Sequence, residues 1–347
     1  MKRSGKGQNY YLVLLLLMAF LLSSCLRQPE GEGTSAEEEA LPDENLIVVG
    51  VSQIGSESVW RTANTASIQQ VFTKENGYFL IFKNARQKQE NQIKALRSFI
   101  SQRVDYIVFS PITELGWDTV LQEAKEAGIP VILIDRKVKV RDESLYVAWI
   151  GPDFVHEGRM AGQALEECLK KQNRQEEELN IVVLQGTKGA TSAIGRTRGF
   201  LSVAQLHENW KILEQVDAEF TTAKGQEEME RMLRRYEDID VLISQNDDMT
   251  FGALEAIKEA GKTAGTEGDI IVISFDAVKN ALKLVEEGSI TADVECNPNQ
   301  GEYIEAVIQK LENHENVAKL NFVQEDVFTA ENAGERLAKE DKVLQEE

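Results

Sequence analysis

Six clusters of polar residues stand directly after short apolar runs in this 347-residue sequence, and their side chains share one chemistry. Ser52-Gln53-Ile54-Gly55-Ser56-Glu57-Ser58-Val59-Trp60-Arg61 follows residues 46–51 (LIVVGV), and Asn84 to Gln89 follows 78–82. Asp135-Arg136 follows 130–134, and Gln185-Gly186-Thr187 leads on to Arg196 after 179–184. Asn246-Asp247-Asp248 follows 240–243, and Asp276 follows 269–274. A guanidinium can donate to two hydroxyls on neighbouring carbons, a carboxylate can accept from two, and an amide does both. The C–H face of a polyhydroxyl ring stacks on an aromatic ring, which Trp60 or Phe220 could supply. A hydroxyl left unpaired in such a site costs about 1 to 3 kcal/mol, so epimers are told apart.

Other chemistries fail on spacing. Gly50-Val51-Ser52-Gln53-Ile54-Gly55 misses a nucleophile elbow by one residue. Gly261-Lys262-Thr263 lacks the upstream glycine of a phosphate loop, having Ala256 there. Gly31 and Gly33 lie in an acidic stretch and follow no strand, so no dinucleotide fingerprint forms. His156, His207 and His314 each stand alone, so no metal site and no cofactor is expected. Cys168 falls on the Met160, Ala161, Ala164, Leu165, Leu169 face of a helix and reads as core, while the sequence leaves open whether it pairs with Cys296. With three histidines and three cysteines, the chain reads as a binding protein rather than an enzyme.

The elements that must position these residues alternate. Apolar runs at 46–51, 78–82, 105–109, 130–134, 179–184, 211–216, 240–243 and 269–274 predict parallel strands. Helical periodicity predicts helices at 57–74, 88–102, 115–127, 154–171, 192–207, 224–236, 247–260 and 277–287. A strand-like stretch, Leu145 to Ile150, ends at Gly151-Pro152-Asp153, where one lobe gives way to another. A second break falls at Cys296-Asn297-Pro298-Asn299, after which the helix 301–311 returns to the first lobe. Residues 322–328 form a third extended piece, and the tail 331–347 closes on the second lobe. The expected fold is therefore α/β: two doubly wound parallel-sheet lobes, 46–150 plus 297–323 and 151–296 plus 324–347, joined by a three-crossing hinge. In open parallel sheets ligands bind beyond the carboxyl ends of the strands, where the polar clusters lie.

Residues 1–24 carry Lys2, Arg3 and Lys6 before a 13-residue apolar run, Tyr10 to Leu22, too short to span a bilayer comfortably, and read as a secretory signal. Leu22-Ser23-Ser24-Cys25 resembles the lipobox of bacterial lipoproteins, with Cys25 the lipidated residue. Residues 25–45, with seven acids and little to bury, form a solvated tether. Formal charge is −20, and loss of the three basic signal residues takes it to −23, which repels a phosphate backbone and argues against nucleic acid.

From Leu46 to the tail, the order of these elements resembles the periplasmic sugar-binding proteins of the ribose/galactose type, the receptors of bacterial ABC importers. GVSQIGSESVWR, KQENQIKALRSF, ILIDR, LQGTKGATSAIGRTRGF, SQNDDMTFGALEAIKEAG and the Asp276 turn look closest to galactofuranose-binding receptors. The resemblance implies a type I periplasmic binding protein fold. It implies a monosaccharide site with Glu57, Ser58, Val59, Trp60, Arg61, Asp135 and Arg136 on the first lobe, and Arg196, Asn246 and Asp276 closing from the second. Phe220 matches an aromatic that packs on sugar in ribose-type relatives, and Glu295 sits at the second crossing. Val59 and Cys296-Asn297 depart from the family pattern. The implied partners are a monosaccharide (galactofuranose or a related sugar), an importer permease and, through the lipid anchor, the outer face of the cell membrane; the receptor is expected to be a monomer.

Plainer readings stand beside these. Asp135-Arg136 could be a structural ion pair, Asn246 and Asp276 could cap the following helices, and Trp60 could be core. The same cleft could serve a receptor for a sugar or autoinducer that feeds a sensor kinase or chemoreceptor. A repressor's sugar-sensing half is opposed by the signal segment, the charge and the lack of a helix-turn-helix. An extracellular glycosidase has only the abundance of carboxylates in its favour. Arg61→Ala or Asp276→Ala is expected to abolish binding and leave the fold.

Overall fold

The continuous apolar runs become strands buried on both faces. In the computed structural model, which describes residues 46–346, β1 (Ile47–Gln53), β2 (Tyr78–Asn84), β3 (Tyr106–Phe109), β4 (Val131–Ile134) and β5 (Ala148–Gly151) build a first sheet with the late β11 (Leu320–Phe322). Its order is β11-β5-β4-β3-β1-β2 and every pair is parallel. β6 (Leu179–Gln185), β7 (Trp210–Asp217), β8 (Val241–Ser244), β9 (Ile271–Asp276), β10 (Ala292–Glu295) and β12 (Val327–Phe328) build the second, in the order β12-β10-β9-β8-β6-β7. The two orders are the same pattern used twice, so a position in one lobe has a counterpart five strands later.

Helices cover both faces of each sheet. In the first lobe α1 (Val59–Val71) shares one core with the returning α9 (Gly301–Glu312), where Ile68 and Phe72 meet Ile304 and Ile308 under β1 and β4. On the other face α2 (Gln89–Gln102) and α3 (Asp118–Glu126) bury Leu96, Phe99 and Leu121. In the second lobe α4 (Phe154–Gln172) and α5 (Thr191–Ala204) cover one face; α6 (Thr222–Arg235), α7 (Asp247–Glu259), α8 (Lys279–Glu286) and the terminal α10 (Ala333–Glu346) cover the other. The α4–α5 contact brings backbone against backbone. A Cβ on Gly158 would stand 2.2 Å from the Arg196 carbonyl oxygen, and one on Gly199 would stand 2.1 Å from that of Val155.

Three crossings join the lobes, between β5 and α4, between β10 and α9, and between β11 and β12. Hydrogen bonds tie the crossings together: Asn297 N–H donates to Glu325 Oε1 (3.2 Å) and Asn64 Nδ2 to the Pro298 carbonyl (2.9 Å). The cleft is closed. Glu114 N–H donates to the Gly189 carbonyl (3.1 Å), Lys137 N–H to Thr191 Oγ1 (3.0 Å) and Val59 N–H to Asp248 Oδ2 (2.9 Å), each from first lobe to second.

Two local readings change. The stretch expected to be strand-like from Leu145 begins as a 3-10 turn, Glu143–Leu145, because Asp142 accepts from the Ser144 N–H, and the strand starts at Ala148. The extended piece 322–328 is two short strands, one in each sheet. β12 runs antiparallel to β10, since a chain arriving from a hinge needs no crossover helix. Cys168 and Cys296 are free thiols, Cys168 within the second-lobe core. The expected signal segment, the tether and Cys25 lie outside the described residues. Among the described residues no helix is long and apolar enough to cross a membrane.

Candidate functional site

Strand ends from both lobes converge on a small cavity between them. The first lobe contributes Glu57, Ser58, Trp60, Arg61, Asp135 and Arg136; the second contributes Phe154, Ser192, Arg196, Phe220, Asn246 and Asp276, with Cys296 at the hinge.

On the first-lobe wall, Ser58 caps α1 through its Oγ, which accepts from the Arg61 N–H (3.0 Å) and fixes the first turn. Arg61 is buried and held on every side. Its Nε donates to Glu57 Oε1 (3.2 Å), its Nη2 pairs with Asp135 Oδ2 (2.8 Å), its Nη1 donates to Gln53 Oε1 (3.3 Å), and it lies 4.6 Å from the Trp60 ring centre. Asp135, at the end of β4, has φ 58°, and Trp149 Nε1 donates to its carbonyl (3.0 Å). Arg136 donates through Nη1 to the Ile112 carbonyl (3.0 Å) and faces Phe220 across the cleft, 5.2 Å away. Burial, with Arg61 alongside, pushes its guanidinium down to about 10.

The second-lobe wall repeats this arrangement. Arg196, on the helix after the lobe's first strand as Arg61 is, pairs through Nε with Glu157 Oε2 (2.5 Å) and through Nη2 with Asp276 Oδ1 (3.3 Å), and its Nη1 donates to the Gln245 carbonyl. Asp276 ends β9 as Asp135 ends β4, and burial drives its carboxyl well above the usual range despite Arg196. Phe220 reaches the cavity from a turn in which Glu219 and Phe220 both take left-handed φ, 58° and 59°. Its ring lies over Gly186, where a Cβ would fall 1.7 Å from Phe220 Cζ. Gly186→Ala is therefore expected to displace the ring and weaken ligand binding roughly two- to tenfold, the worth of one aromatic stacking contact. Calorimetric titration beside wild type checks this, and equal affinities would remove Phe220 from the site.

Three buried polar atoms of the wall have no hydrogen-bond partner: Glu57 Oε2, Arg136 Nε and Ser192 Oγ. Two of these residues line the cavity from the first lobe and one from the second. Buried polar groups are almost always satisfied, so these match a ligand with hydroxyls of its own.

Of the residues expected from sequence, Glu57, Ser58, Trp60, Arg61, Asp135, Arg136, Arg196, Phe220, Asn246 and Asp276 line the cavity together. Val59 and Glu295 do not. Val59 is 48 % exposed on the outer side of α1, and Glu295 turns away to Arg336 (2.9 Å) and the Asp326 N–H. Asn246 lines the cavity and also caps α7, accepting from Met249 N–H (2.9 Å). Asp276 caps nothing: Asp247 Oδ2 takes the Val278 N–H at the start of α8. Asp135 stands 3.9 Å from its neighbour Arg136 and pairs instead with Arg61. Arg198 faces solvent while Arg196 is buried, because a helix turns two residues to opposite sides.

Phe154, Ser192 and Cys296 were missed as wall residues, and Glu157, Gln53 and Gln245 as their supports. Phe154 directly follows the first crossing and Ser192 opens the helix bearing Arg196, positions that could have marked them. Glu157, Cys296 and Glu325 bring ligand-type atoms within 4.8 Å of one another at the hinge. Glu157 is already committed to Arg196, and burial with Glu157 alongside pushes the Glu325 carboxyl up to about 11.

Galactofuranose-binding protein YtfQ of Escherichia coli is 38% identical to this chain over 297 residues, 84% of this chain and 91% of that one. A crystal structure from Mycobacterium smegmatis in complex with β-D-fucofuranose superposes with a TM-score of 0.81 at 41% identity, covering 86% of this chain and 96% of the other. The periplasmic binding protein component of the arabinose ABC transporter from Shewanella sp. ANA-3, bound to α- and β-L-arabinofuranose, gives 0.78 at 42%, covering 86% and 98%. These relatives are solute-binding proteins, not enzymes. The periplasmic binding protein domain matches residues 49–316, and the chain belongs to that family.

Proposed function

We propose that this protein is a lipid-anchored extracytoplasmic receptor that captures one monosaccharide in its furanose form and delivers it to an ABC importer. The observation that carries the sugar reading is the trio of unpartnered buried atoms, Glu57 Oε2, Arg136 Nε and Ser192 Oγ, set among two arginine–aspartate units and Phe220. Galactofuranose, fucofuranose and L-arabinofuranose, the ligands named for the relatives, share one ring configuration and differ in the exocyclic arm. A small cavity with fixed charged walls suits the shared ring. Because both lobes pair hydroxyls of the same ring, binding favours the closed form. The importer role and the anchor at Cys25 rest on the family resemblance and the lipobox.

Titration of the protein from Leu26 onward with D-galactose, D-fucose, L-arabinose, ribose and glucose, each equilibrated with its furanose forms, tests the reading by calorimetry and thermal melting. A true ligand at about 1,000 times its Kd adds about 4 kcal/mol of stability. Stabilisation by the galactose-configured set, with ribose and glucose inactive, is the expected result; no response to any of the five overturns it. Loss of metabolic lipid labelling in Cys25→Ala, with release from the membrane fraction, checks the anchor.

A further inference from the structure

The turn that presents Asp276 to the cavity is strained: Asp276 has φ 110° and Ala277 φ 57°, both outside the range ordinary residues prefer. Such a residue persists only where its surroundings dictate it. Two buried carboxyls dictate it here. The Ala277 N–H donates to Asp293 Oδ1 (3.1 Å) and the Val278 N–H to Asp247 Oδ2 (2.8 Å). Asp247 Oδ1 also accepts from Ser274 Oγ (2.5 Å), which lies 2.7 Å from Thr250 Oγ1. Neither carboxyl lines the cavity, and both are fully buried.

The remaining oxygen of Asp293, Oδ2, receives no N–H or hydroxyl of the protein. The two carboxyls hold successive N–H groups of one turn, those of Ala277 and Val278, and so lie side by side, where each disfavours the charge of the other. The charged groups around the pair are Asp276 on β9 and Arg196 on α5, and that arginine is already engaged by Glu157 and Asp276. Among the described residues no ion pair to either carboxyl is present, and two neighbouring buried carboxylates do not both ionise readily.

We propose that Asp247 and Asp293 share a proton and act as a positioning pair that holds the strained Asp276 turn in its sugar-accepting form. Burial raises both carboxyls, Asp293 to about 7 and Asp247 well above the usual range, in keeping with a retained proton at neutral pH. This rests on the sugar-receptor reading, since the turn matters to binding only if Asp276 holds the ligand.

The test compares wild type, Asp293→Asn and Asp293→Leu. Asparagine keeps the oxygen that serves Ala277 and supplies a permanent donor to Asp247, so affinity for L-arabinose and D-galactose should stay within about twofold of wild type. Leucine removes both bonds and should weaken affinity about tenfold or more. Infrared difference spectra of the unliganded proteins at neutral pH should show a protonated-carboxyl C=O band in wild type that Asp293→Asn lacks. Wild-type affinity in Asp293→Leu, equal weakness in both variants, or no such difference band would each overturn the proposal. Should Asp293→Leu fail to fold, Asp247→Asn replaces it and must retain affinity within about threefold. If wild type binds no sugar, the receptor reading fails, and the infrared comparison still decides on the proton.

Discussion

Arg196→Leu should abolish sugar binding and lower stability by about 3 to 5 kcal/mol, the penalty for leaving buried charges without their partner. The guanidinium serves Glu157, Asp276 and the Gln245 carbonyl at once, and its side chain is 3 % exposed. Leucine fills most of the space but strands two carboxyl groups in a dry site. Loss of charge-assisted hydrogen bonds to a ligand, about 1.5 to 3 kcal/mol each, predicts affinity weaker by about a hundredfold or more. Titration calorimetry and urea unfolding of the same preparations measure both effects. Wild-type stability in this variant would show that the network is not closed around Arg196. The same reasoning revises the expectation for Arg61→Ala: it touches Glu57, Asp135 and Gln53, so it should cost stability as well as binding.

Gly199→Ala is the second large effect, because two opposing terms can be compared. Inside a helix, alanine is favoured over glycine by about 1 kcal/mol, so an isolated α5 would gain. In the protein the new Cβ would sit 2.1 Å from the Val155 carbonyl oxygen and 2.8 Å from the Arg159 nitrogen. These are backbone atoms, which cannot rotate aside as a side chain would, so α5 must move away from α4. Overpacking of this kind costs about 1 to 3 kcal/mol or more, and the net sign is destabilising. Since α5 carries Arg196, sugar affinity should fall too. A thermal melt at or above wild type would mean that the helices separate freely, and would contradict the tight α4–α5 contact.

Much of the fold was readable because parallel strands buried on both faces must be continuous apolar runs. β3, β4 and β8 are buried at every residue. What escaped were elements without such a signature. β12 has two residues, and its antiparallel direction depends on a hinge, not on side-chain pattern. The arginines and aspartates of the cavity could be found because the strand-end rule says where to look. Ser192 and Phe154 could not be separated from ordinary helix-start residues, since what makes them wall residues is the closing of one lobe on another. Val59 shows the converse: it sits in the midst of the most telling motif, yet the turn of α1 sends it outward while Ser58 and Trp60 face in.

The doubled strand order gives the binding site a route for change. Arg61 with Asp135 and Arg196 with Asp276 occupy corresponding places in two copies of one layout, so the walls of the cavity are two versions of a single half-site facing each other. A substitution in one half leaves the other half's grip intact. Ligand preference can therefore drift by graded steps, with each half altered in turn, and hybrids that exchange one half between relatives should show preferences intermediate between their parents.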